Sequence, residues 1–374
     1  MSVHSFEVQI NNAQVDDLRA RLLRTRWPER ETVEDWSQGT PLAYVREVCD
    51  YWASEYDMSR LGQRLNSWPQ FLTEIDGVDI HFLHIRSPRE DAQPLIMSHG
   101  WPGSVVEFLK VIEPLSNPDA ADLPAFHLVI PSLPGYGFSG KSEVTGWSVE
   151  KISEAWAQLM QKLGYSRYFA QGGDWGGAIT TAIGSRDPAH CAGLHTNMPI
   201  VRPTGAMLEN LTDMERDSLA GREFYHRWDS GYSKQQSTRP QSVGYGLVDS
   251  PAALAGWILE KFYQWTDCNG HPENVLTRDE LLDNLMMYWL PATGASSARL
   301  YWESFGKGEY KDVTVPSGVS IFPKEIFRSS ERWVRSRYTH LRFYREHERG
   351  GHFAAFEHPE TFVEDLRDWY TAIT

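Results

Sequence analysis

The stretch Gln171-Gly172-Gly173-Asp174-Trp175-Gly176-Gly177 decides how the fold is interpreted. It lies between a predicted strand over residues 168–171 and a predicted helix that begins with the apolar residues of 178–183. Glycines flank Asp174 in the pattern Gly-x-Asp-x-Gly, which is typical of a sharp strand-to-helix turn with a strained nucleophile at its centre. The alternative is that Asp174 only caps the helix, since aspartate is common at helix N-termini.

Strand and helix signals alternate on both sides of this turn. Short apolar segments predict buried strands at residues 95–100, 126–131 and 191–195. Between the second and third of these, Ser148 is placed to cap a helix that ends at Gly164. Strands that alternate with helices predict an α/β fold, in which helices cover both faces of a mostly parallel sheet.

The alternation is interrupted late in the chain. It stops at about Pro203 and resumes near residues 319–322, and the segment between has helical apolar faces. Such an insertion predicts a helical cap over the carboxyl edge of the sheet, where α/β sheets bind ligands. Before the sheet, an N-terminal extension ends in an Asp76-Gly77 hairpin signal. We therefore divide the chain into an N-terminal region wrapping the core (1–90), a first core part (91–202), the cap (203–310) and a second core part (311–374).

The composition argues against several classes of partner. The chain has 374 residues, a formal net charge of -14 and a pI of about 5.4, so its surface repels phosphate backbones and anionic lipids. Cys49, Cys191 and Cys268 are far apart in sequence and fit neither a disulfide framework nor a zinc site. Residues 1–12 lack the apolar run of a signal peptide, and no apolar run approaches transmembrane length. We expect a soluble cytoplasmic protein without nucleic-acid partners or a membrane anchor.

The segment Ser98-His99-Gly100-Trp101-Pro102-Gly103 follows an early strand and predicts a place for two backbone donors. In α/β-hydrolase folds the oxyanion hole combines the amide after the nucleophile with an amide from such a loop. Here those amides belong to Trp175 and Trp101. His99 itself is expected to be a hydrogen-bonded loop histidine rather than a catalytic group.

Two further residues complete the predicted catalytic set. His352 lies in the glycine-rich stretch Arg349-Gly-Gly-His-Phe, after the last predicted strand, and Glu325 ends the strand that resumes the sheet. The order Asp174, Glu325, His352 is the α/β-hydrolase order of nucleophile, acid and histidine. The alternative for Glu325 is a helix-capping role, because acidic residues are common at helix starts.

The segment Gly135-Tyr-Gly-Phe-Ser-Gly140 matches the G-x-G-x-x-G pattern of dinucleotide-binding folds. Pro131 and Pro134 precede it, and polar, glycine-broken sequence follows where that motif needs a helix to hold the pyrophosphate. We therefore expect neither a nicotinamide nor a flavin site at this segment.

Four groups of motifs make the chain similar to the microsomal-type epoxide hydrolases over nearly its whole length. They are Asp16-Asp-Leu-Arg with Arg26-Trp-Pro, His99-Gly-Trp-Pro, Gly172-Gly-Asp-Trp-Gly, and Arg349-Gly-Gly-His-Phe-Ala-Ala-Phe-Glu. In that family two cap tyrosines hydrogen-bond the epoxide oxygen, and the matching positions are Tyr232 and Tyr301. The family acid falls on Glu325. The chain departs from the animal members in lacking their membrane-anchoring N-terminal helix, which implies a soluble bacterial form.

The resemblance implies hydrolysis of an epoxide to a vicinal diol. Asp174 attacks an epoxide carbon to form an ester, while Tyr232 and Tyr301 donate to the developing alkoxide. Water activated by His352, which Glu325 orients, then releases the diol. No metal or organic cofactor is needed, and the expected substrate is a small apolar or aromatic epoxide. The oligomeric state, for example a homodimer, stays open, as does the choice between detoxification and biosynthesis.

Two other functions fit the same residues. A haloalkane dehalogenase uses the same aspartate, histidine and acid, and the indole N–H of Trp175 fits its halide-binding role. A catalytically silent ligand-binding protein is the non-enzymatic alternative, although pure binding has no need of Asp174, Glu325 and His352 together. The two cap tyrosines favour the epoxide hydrolase.

Overall fold

A computed structural model describes residues 2–374 of the protein. Within that range one sheet contains nine strands: β1 (His4–Phe6), β2 (Gln70–Ile75), β3 (Val78–Ile85), β4 (Gln93–Ser98), β5 (Phe126–Pro131), β6 (Tyr168–Gly172), β7 (Cys191–Thr196), β8 (Ser317–Ile321) and β9 (Leu341–Glu346). Their order across the sheet is β1-β2-β3-β5-β4-β6-β7-β8-β9. Neighbouring strands from β5 to β9 are parallel, whereas β3, β2 and β1 extend one edge with antiparallel pairing.

Helices surround this sheet. Within the described residues the α-helices are α1 (Asn12–Leu23), α2 (Leu42–Ser54), α3 (Arg60–Asn66), α4 (Ile112–Ser116), α5 (Val149–Lys162), α6 (Asp174–Arg186), α7 (Asp213–Phe224), α8 (Gly231–Thr238), α9 (Pro240–Asp249), α10 (Pro251–Trp265), α11 (Arg278–Trp289), α12 (Gly294–Ser304), α13 (Glu331–Arg335), α14 (Ala354–Glu357) and α15 (Pro359–Ile373). Helices α4, α6 and α15 pack directly on the parallel strands. Strands β6 and β8 are buried along their whole length, as expected when helices cover both faces of a parallel sheet.

The predicted α/β class and most predicted elements are confirmed. Asp76 and Gly77 join β2 to β3 with φ angles of 50° and 79°, the positive values of a tight hairpin turn. Ser148 caps α5 by accepting a hydrogen bond from the Lys151 amide. Two details differ from the prediction. The sheet resumes at Ser317, earlier than predicted, and β1 was not predicted because three residues paired only with β2 leave no periodic signal.

The described helices α7 to α12 lie between β7 and β8 in the chain. Helices α8 and α12 pack against each other and carry Tyr232 and Tyr301, whose rings reach the tryptophans beside Asp174. The inserted helices therefore stand over the carboxyl end of β6. The limits 203–310 for the cap, like those of the other three regions, stay a prediction.

Asp283 on α11 ties the N-terminal helices to the inserted ones. Its carboxylate is fully buried and accepts hydrogen bonds from Tyr56 (2.7 Å), Arg64 (2.5 Å) and Arg60 (3.1 Å). These partners lie 219 to 227 residues away in sequence. One carboxylate therefore joins two distant segments, and α11 depends on the N-terminal region for its position.

We expect Asp283→Ala to lower the free energy of unfolding by about 3 kcal/mol, because removing one partner of a buried ion pair leaves the others uncompensated. Urea-induced unfolding followed by circular dichroism measures the loss. Asp279→Ala is the matched control. Its half-buried carboxylate lies 3.9 Å from Arg60 and accepts a 2.9 Å hydrogen bond from Tyr51, so its loss should cost only about 1 kcal/mol. Equal losses in the two variants would contradict the role given to Asp283.

Candidate active site

Asp174 occupies the turn between β6 and α6. Its φ of 52° lies in the left-handed region, which a non-glycine residue adopts only at an energetic cost. The glycines on either side are sterically required. A Cβ at Gly172 would lie 2.2 Å from the backbone oxygen of Gly176, and a Cβ at Gly176 would lie 1.9 Å from that of Ser98. These glycines therefore let the chain turn sharply after β6, close to β4, and place the Asp174 carboxyl at the carboxyl end of β6.

The loop after β4 holds one oxygen of the Asp174 carboxyl. The Trp101 amide donates a hydrogen bond of 2.8 Å to Oδ1. The Trp175 amide lies in the first turn of α6, where amides have no acceptor within the helix. His99 uses both ring nitrogens in hydrogen bonds to backbone groups, and burial lowers its pKa to about 4. It is therefore the neutral, hydrogen-bonded loop histidine that the sequence predicts.

His352 links two carboxylates. Its Nε2 lies 3.3 Å from Asp174 Oδ2, and its Nδ1 lies 2.6 Å from Glu325 Oε1. Glu325 is buried and also accepts a hydrogen bond of 2.7 Å from the Ile326 amide. Burial disfavours the imidazolium, but Glu325 and then Asp174 outweigh it and raise the pKa of His352 well above its usual value. The arrangement therefore favours a protonated His352 between Asp174 and Glu325.

Tyr232 and Tyr301 face the same region from α8 and α12. Both are buried, with ring centroids 5.7 Å apart. The Tyr232 ring stacks on Trp101 at 4.8 Å, and the Tyr301 ring meets Trp175 edge-on at 4.8 Å. A phenol is already neutral at pH 7, and burial raises the pKa of both phenols well above the ordinary value, so both stay hydrogen-bond donors.

A cavity of about 210 Å³ joins these groups. Its walls include Asp174, Trp175, Tyr232 and Tyr301, together with apolar side chains from several elements. Those apolar side chains are Ala178, Ala182, Met198, Ile200, Phe305, Ile326 and Phe327. The structure thus brings all seven predicted site residues together. Trp101 contacts Asp174 and Tyr232 in the cavity wall, and His352 links Asp174 to Glu325.

Three residues of this site were not found from the sequence. The Tyr225 hydroxyl lies 3.1 Å from that of Tyr232, in a π-helical turn that leaves no signal in the sequence. Asn197 is buried and donates weakly to Glu325 Oε2 at 3.5 Å. The Lys261 ammonium lies 4.7 Å from the centre of the Tyr232 ring. The sequence did not predict this contact, because lysine is rarely buried.

Among residues 2–374, no cluster of three or more His, Cys, Asp or Glu side chains is arranged to hold a metal ion. None of the helices described for those residues is long and apolar enough to cross a membrane.

Comparison with known proteins identifies the family. Residues 3–108 match the model for the epoxide hydrolase N terminus, and residues 93–247 match the model for the α/β hydrolase fold. A protein of Stigmatella aurantiaca, provisionally named an epoxide hydrolase, is 48% identical over 98% of this chain and 84% of its own length. The chain belongs to the epoxide hydrolase family. The predicted resemblance, the α/β-hydrolase fold and the assignment as a hydrolytic enzyme are thereby confirmed.

Other epoxide hydrolases share both sequence and fold with the chain. Epoxide hydrolase 1 of Oryctolagus cuniculus is 36% identical over 98% of this chain and 88% of its own length. The crystal structure of juvenile hormone epoxide hydrolase from the silkworm Bombyx mori has a TM-score of 0.93 at 32% identity. It matches 100% of this chain and 95% of its own. As a member of this family, the chain is expected to open epoxides with water.

Proposed function

We propose that the protein hydrolyses an epoxide to a vicinal diol through a covalent ester on Asp174. One observation carries the proposal: a carboxylate on a strained turn and two buried, neutral phenols line the same largely apolar cavity. A nucleophile and preplaced donors within one cavity are what ring opening requires.

Ring opening uses the two oxygens of Asp174 differently. Oδ1 accepts the Trp101 amide and becomes the ester carbonyl oxygen, while Oδ2 attacks an epoxide carbon. The carbon–oxygen bond of the epoxide breaks, and Tyr232 and Tyr301 donate to the oxygen that leaves. One phenol passes a proton to the alkoxide and regains one from solvent, while the loss of the Asp174 charge lets the His352 imidazolium release its own proton to solvent. This step therefore leaves an ester, an alcohol and a neutral imidazole.

Ester formation prepares His352 for the second step. The Asp174 carboxylate is one of two charges that raise the pKa of His352, and esterification removes it. The neutral imidazole then takes a proton from water, whose oxygen attacks the ester carbon. The amides of Trp101 and Trp175 stabilise the tetrahedral oxyanion. The acyl carbon–oxygen bond then breaks, and the leaving alkoxide takes the proton of the added hydroxyl to complete the diol. A carboxylate is thereby restored beside an imidazolium.

The cavity supports an apolar or aromatic epoxide as substrate. Its lining is largely aliphatic and aromatic, and its volume of about 210 Å³ suits a small molecule. Burial of such a substrate is driven by the hydrophobic effect, worth about 25 cal/mol per Å² of apolar surface. Hydrogen bonds from Tyr232 and Tyr301 then orient the epoxide ring.

A haloalkane dehalogenase is the second candidate. Nε1 of Trp175 is buried without a hydrogen-bond partner among residues 2–374, so this indole could hold a halide. Tyr232 and Tyr301 favour the epoxide instead, because a halide leaves without needing a proton. The two reactions share Asp174 and differ in what leaves the attacked carbon.

Purified protein should convert aryl and alkyl epoxides to diols in EDTA, and it should release little halide from short haloalkanes. Asp174 and the phenols supply the nucleophile and the proton donors, so added metal should not raise the rate. Gas chromatography of diols and an ion-selective halide electrode measure the two products. Efficient halide release without epoxide turnover would establish the dehalogenase. The absence of both diol and halide would indicate a silent binding protein.

A further inference from the structure

A second cavity adjoins the catalytic groups. It encloses about 20 Å³, and its walls include Asp174, His352, Asn197, His99 and Glu107. A space of about 10–15 Å³ is enough for one water molecule when polar partners surround it. This cavity therefore has the size and polarity to hold one water against both Asp174 and His352.

Glu107 is the side chain with a spare hydrogen-bonding atom at this cavity. The other polar side chains on the wall, Ser98, His99 and Asn197, already hydrogen-bond to protein groups. Glu107 Oε1, in contrast, is buried and has no partner among residues 2–374. An unsatisfied buried oxygen costs free energy, so a water at this place would be stabilised by it.

The backbone directs this carboxyl to the cavity. Glu107 lies in the short 3₁₀ helix Val105–Phe108, just after the loop that carries the Trp101 amide. Its carboxyl covers Gly103, where a Cβ would lie 2.7 Å from Oε1. Burial raises the pKa of Glu107 to about 8, with the His352 imidazolium opposing and the Asp174 carboxylate adding to the shift. At pH 7 Glu107 is therefore a neutral acid, and no second negative charge lies beside Asp174 during ring opening.

We propose that Glu107 orients the water that hydrolyses the ester on Asp174. The inference rests on the proposed covalent mechanism. The water donates one hydrogen to Glu107 Oε1 and the other to His352 Nε2, which leaves a lone pair free to attack the ester carbon. His352 takes one proton of the water, and the acyl carbon–oxygen bond breaks as the leaving alkoxide takes the other. Glu107 ends the step unchanged.

Two substitutions at Glu107 distinguish the effect of its accepting oxygen from the effect of its side-chain volume. Glu107→Leu fills the space without any oxygen, whereas Glu107→Gln keeps a carbonyl oxygen as an acceptor. In single turnovers, we expect Glu107→Leu to slow ester decay more than tenfold while ester formation stays within about threefold of wild type, because only decay uses the water. Glu107→Gln should restore decay to within about threefold. Rapid quenching followed by intact-protein mass spectrometry measures both rates.

Gly103→Ala tests the same idea if Glu107→Leu fails to fold. The added methyl group would lie 2.7 Å from Glu107 Oε1 and must displace that carboxyl, although the carboxyl itself is unaltered. We expect the same selective slowing of ester decay. Glu280→Leu is the matched control, since it removes another buried carboxyl, on α11, that does not line the cavity. It should cost stability and leave the ratio of the two rates unchanged.

The possible failures can be told apart. Ester decay at the wild-type rate in folded Glu107→Leu and Gly103→Ala would overturn the role of Glu107, as would equal slowing of both steps. Failure of Glu107→Gln to restore decay would also overturn it. If no ester forms in the wild type or in His352→Gln, the covalent mechanism itself is wrong and this inference falls with it.

Discussion

The His352→Gln variant is expected to open epoxides once and then stop, with the substrate bound as an ester on Asp174. Glutamine keeps much of the volume of histidine but cannot take a proton from water, so ester hydrolysis loses its general base. Ring opening needs Asp174 and the two phenols, which this substitution leaves in place. The stalled protein should be heavier by the mass of one substrate.

Asp174→Asn should give the opposite result, with no adduct and a fall in kcat of about four orders of magnitude or more, because a neutral amide is a poor nucleophile. His347→Gln is the matched control. This histidine precedes His352 by five residues and has its own carboxylate partner, Asp365 at 2.6 Å, but it lies outside both cavities. Its variant should turn over without accumulating an ester.

Intact-protein mass spectrometry after mixing each variant with excess epoxide detects the ester, and peptide mapping places the added mass on one residue. An adduct on a residue other than Asp174 would contradict the covalent mechanism. So would diol formation by His352→Gln without any adduct. In that case Asp174 would act by activating water directly.

The sequence locates Asp174, Glu325 and His352 because each follows a strand of one parallel sheet. The carboxyl ends of parallel strands meet at one edge, so three residues in three such positions come within reach of one another. The glycines beside Asp174 add a local signal, since 1.9 Å and 2.2 Å contacts forbid any side chain there. The fold, the order of Asp174, Glu325 and His352 along the chain, and their closeness in space could therefore be predicted from the sequence.

The inserted helices are different, because their side chains reach the site through contacts between distant segments. Tyr232 and Tyr301 were found only through the resemblance to a family, since a buried tyrosine bonded to a backbone carbonyl leaves the same sequence pattern. The position of Tyr225 depends on a π-helical turn, and no residue pattern in the sequence predicts such a turn. Glu107 resembles any acidic residue at a helix start until its unpartnered Oε1 is seen beside His352.

Tyr232→Phe and Tyr301→Phe are each expected to slow ring opening more than tenfold, and the double variant by about ten-thousandfold or more. An epoxide oxygen leaves as an alkoxide, and losing one donor to such a charge typically costs about 2.7–4 kcal/mol in the transition state. A phenol is already neutral at pH 7, and burial raises the pKa of Tyr232 and Tyr301 further, so each has a proton to donate. The remaining donor compensates partly in a single variant, and nothing replaces it in the double variant.

Tyr56→Phe is the matched control for these substitutions. It also removes a buried hydroxyl, one that donates to Asp283 and lies outside the cavity. That loss should lower stability by about 1–3 kcal/mol while ring opening keeps its rate, because the hydroxyl is absent from the reaction. Rates of ester formation measured in single turnovers, beside urea unfolding of each variant, separate the two effects. Wild-type ring opening in both single variants and in the double variant would show that these tyrosines only pack the cap, and ring opening slowed equally by Tyr56→Phe would attribute the loss to stability.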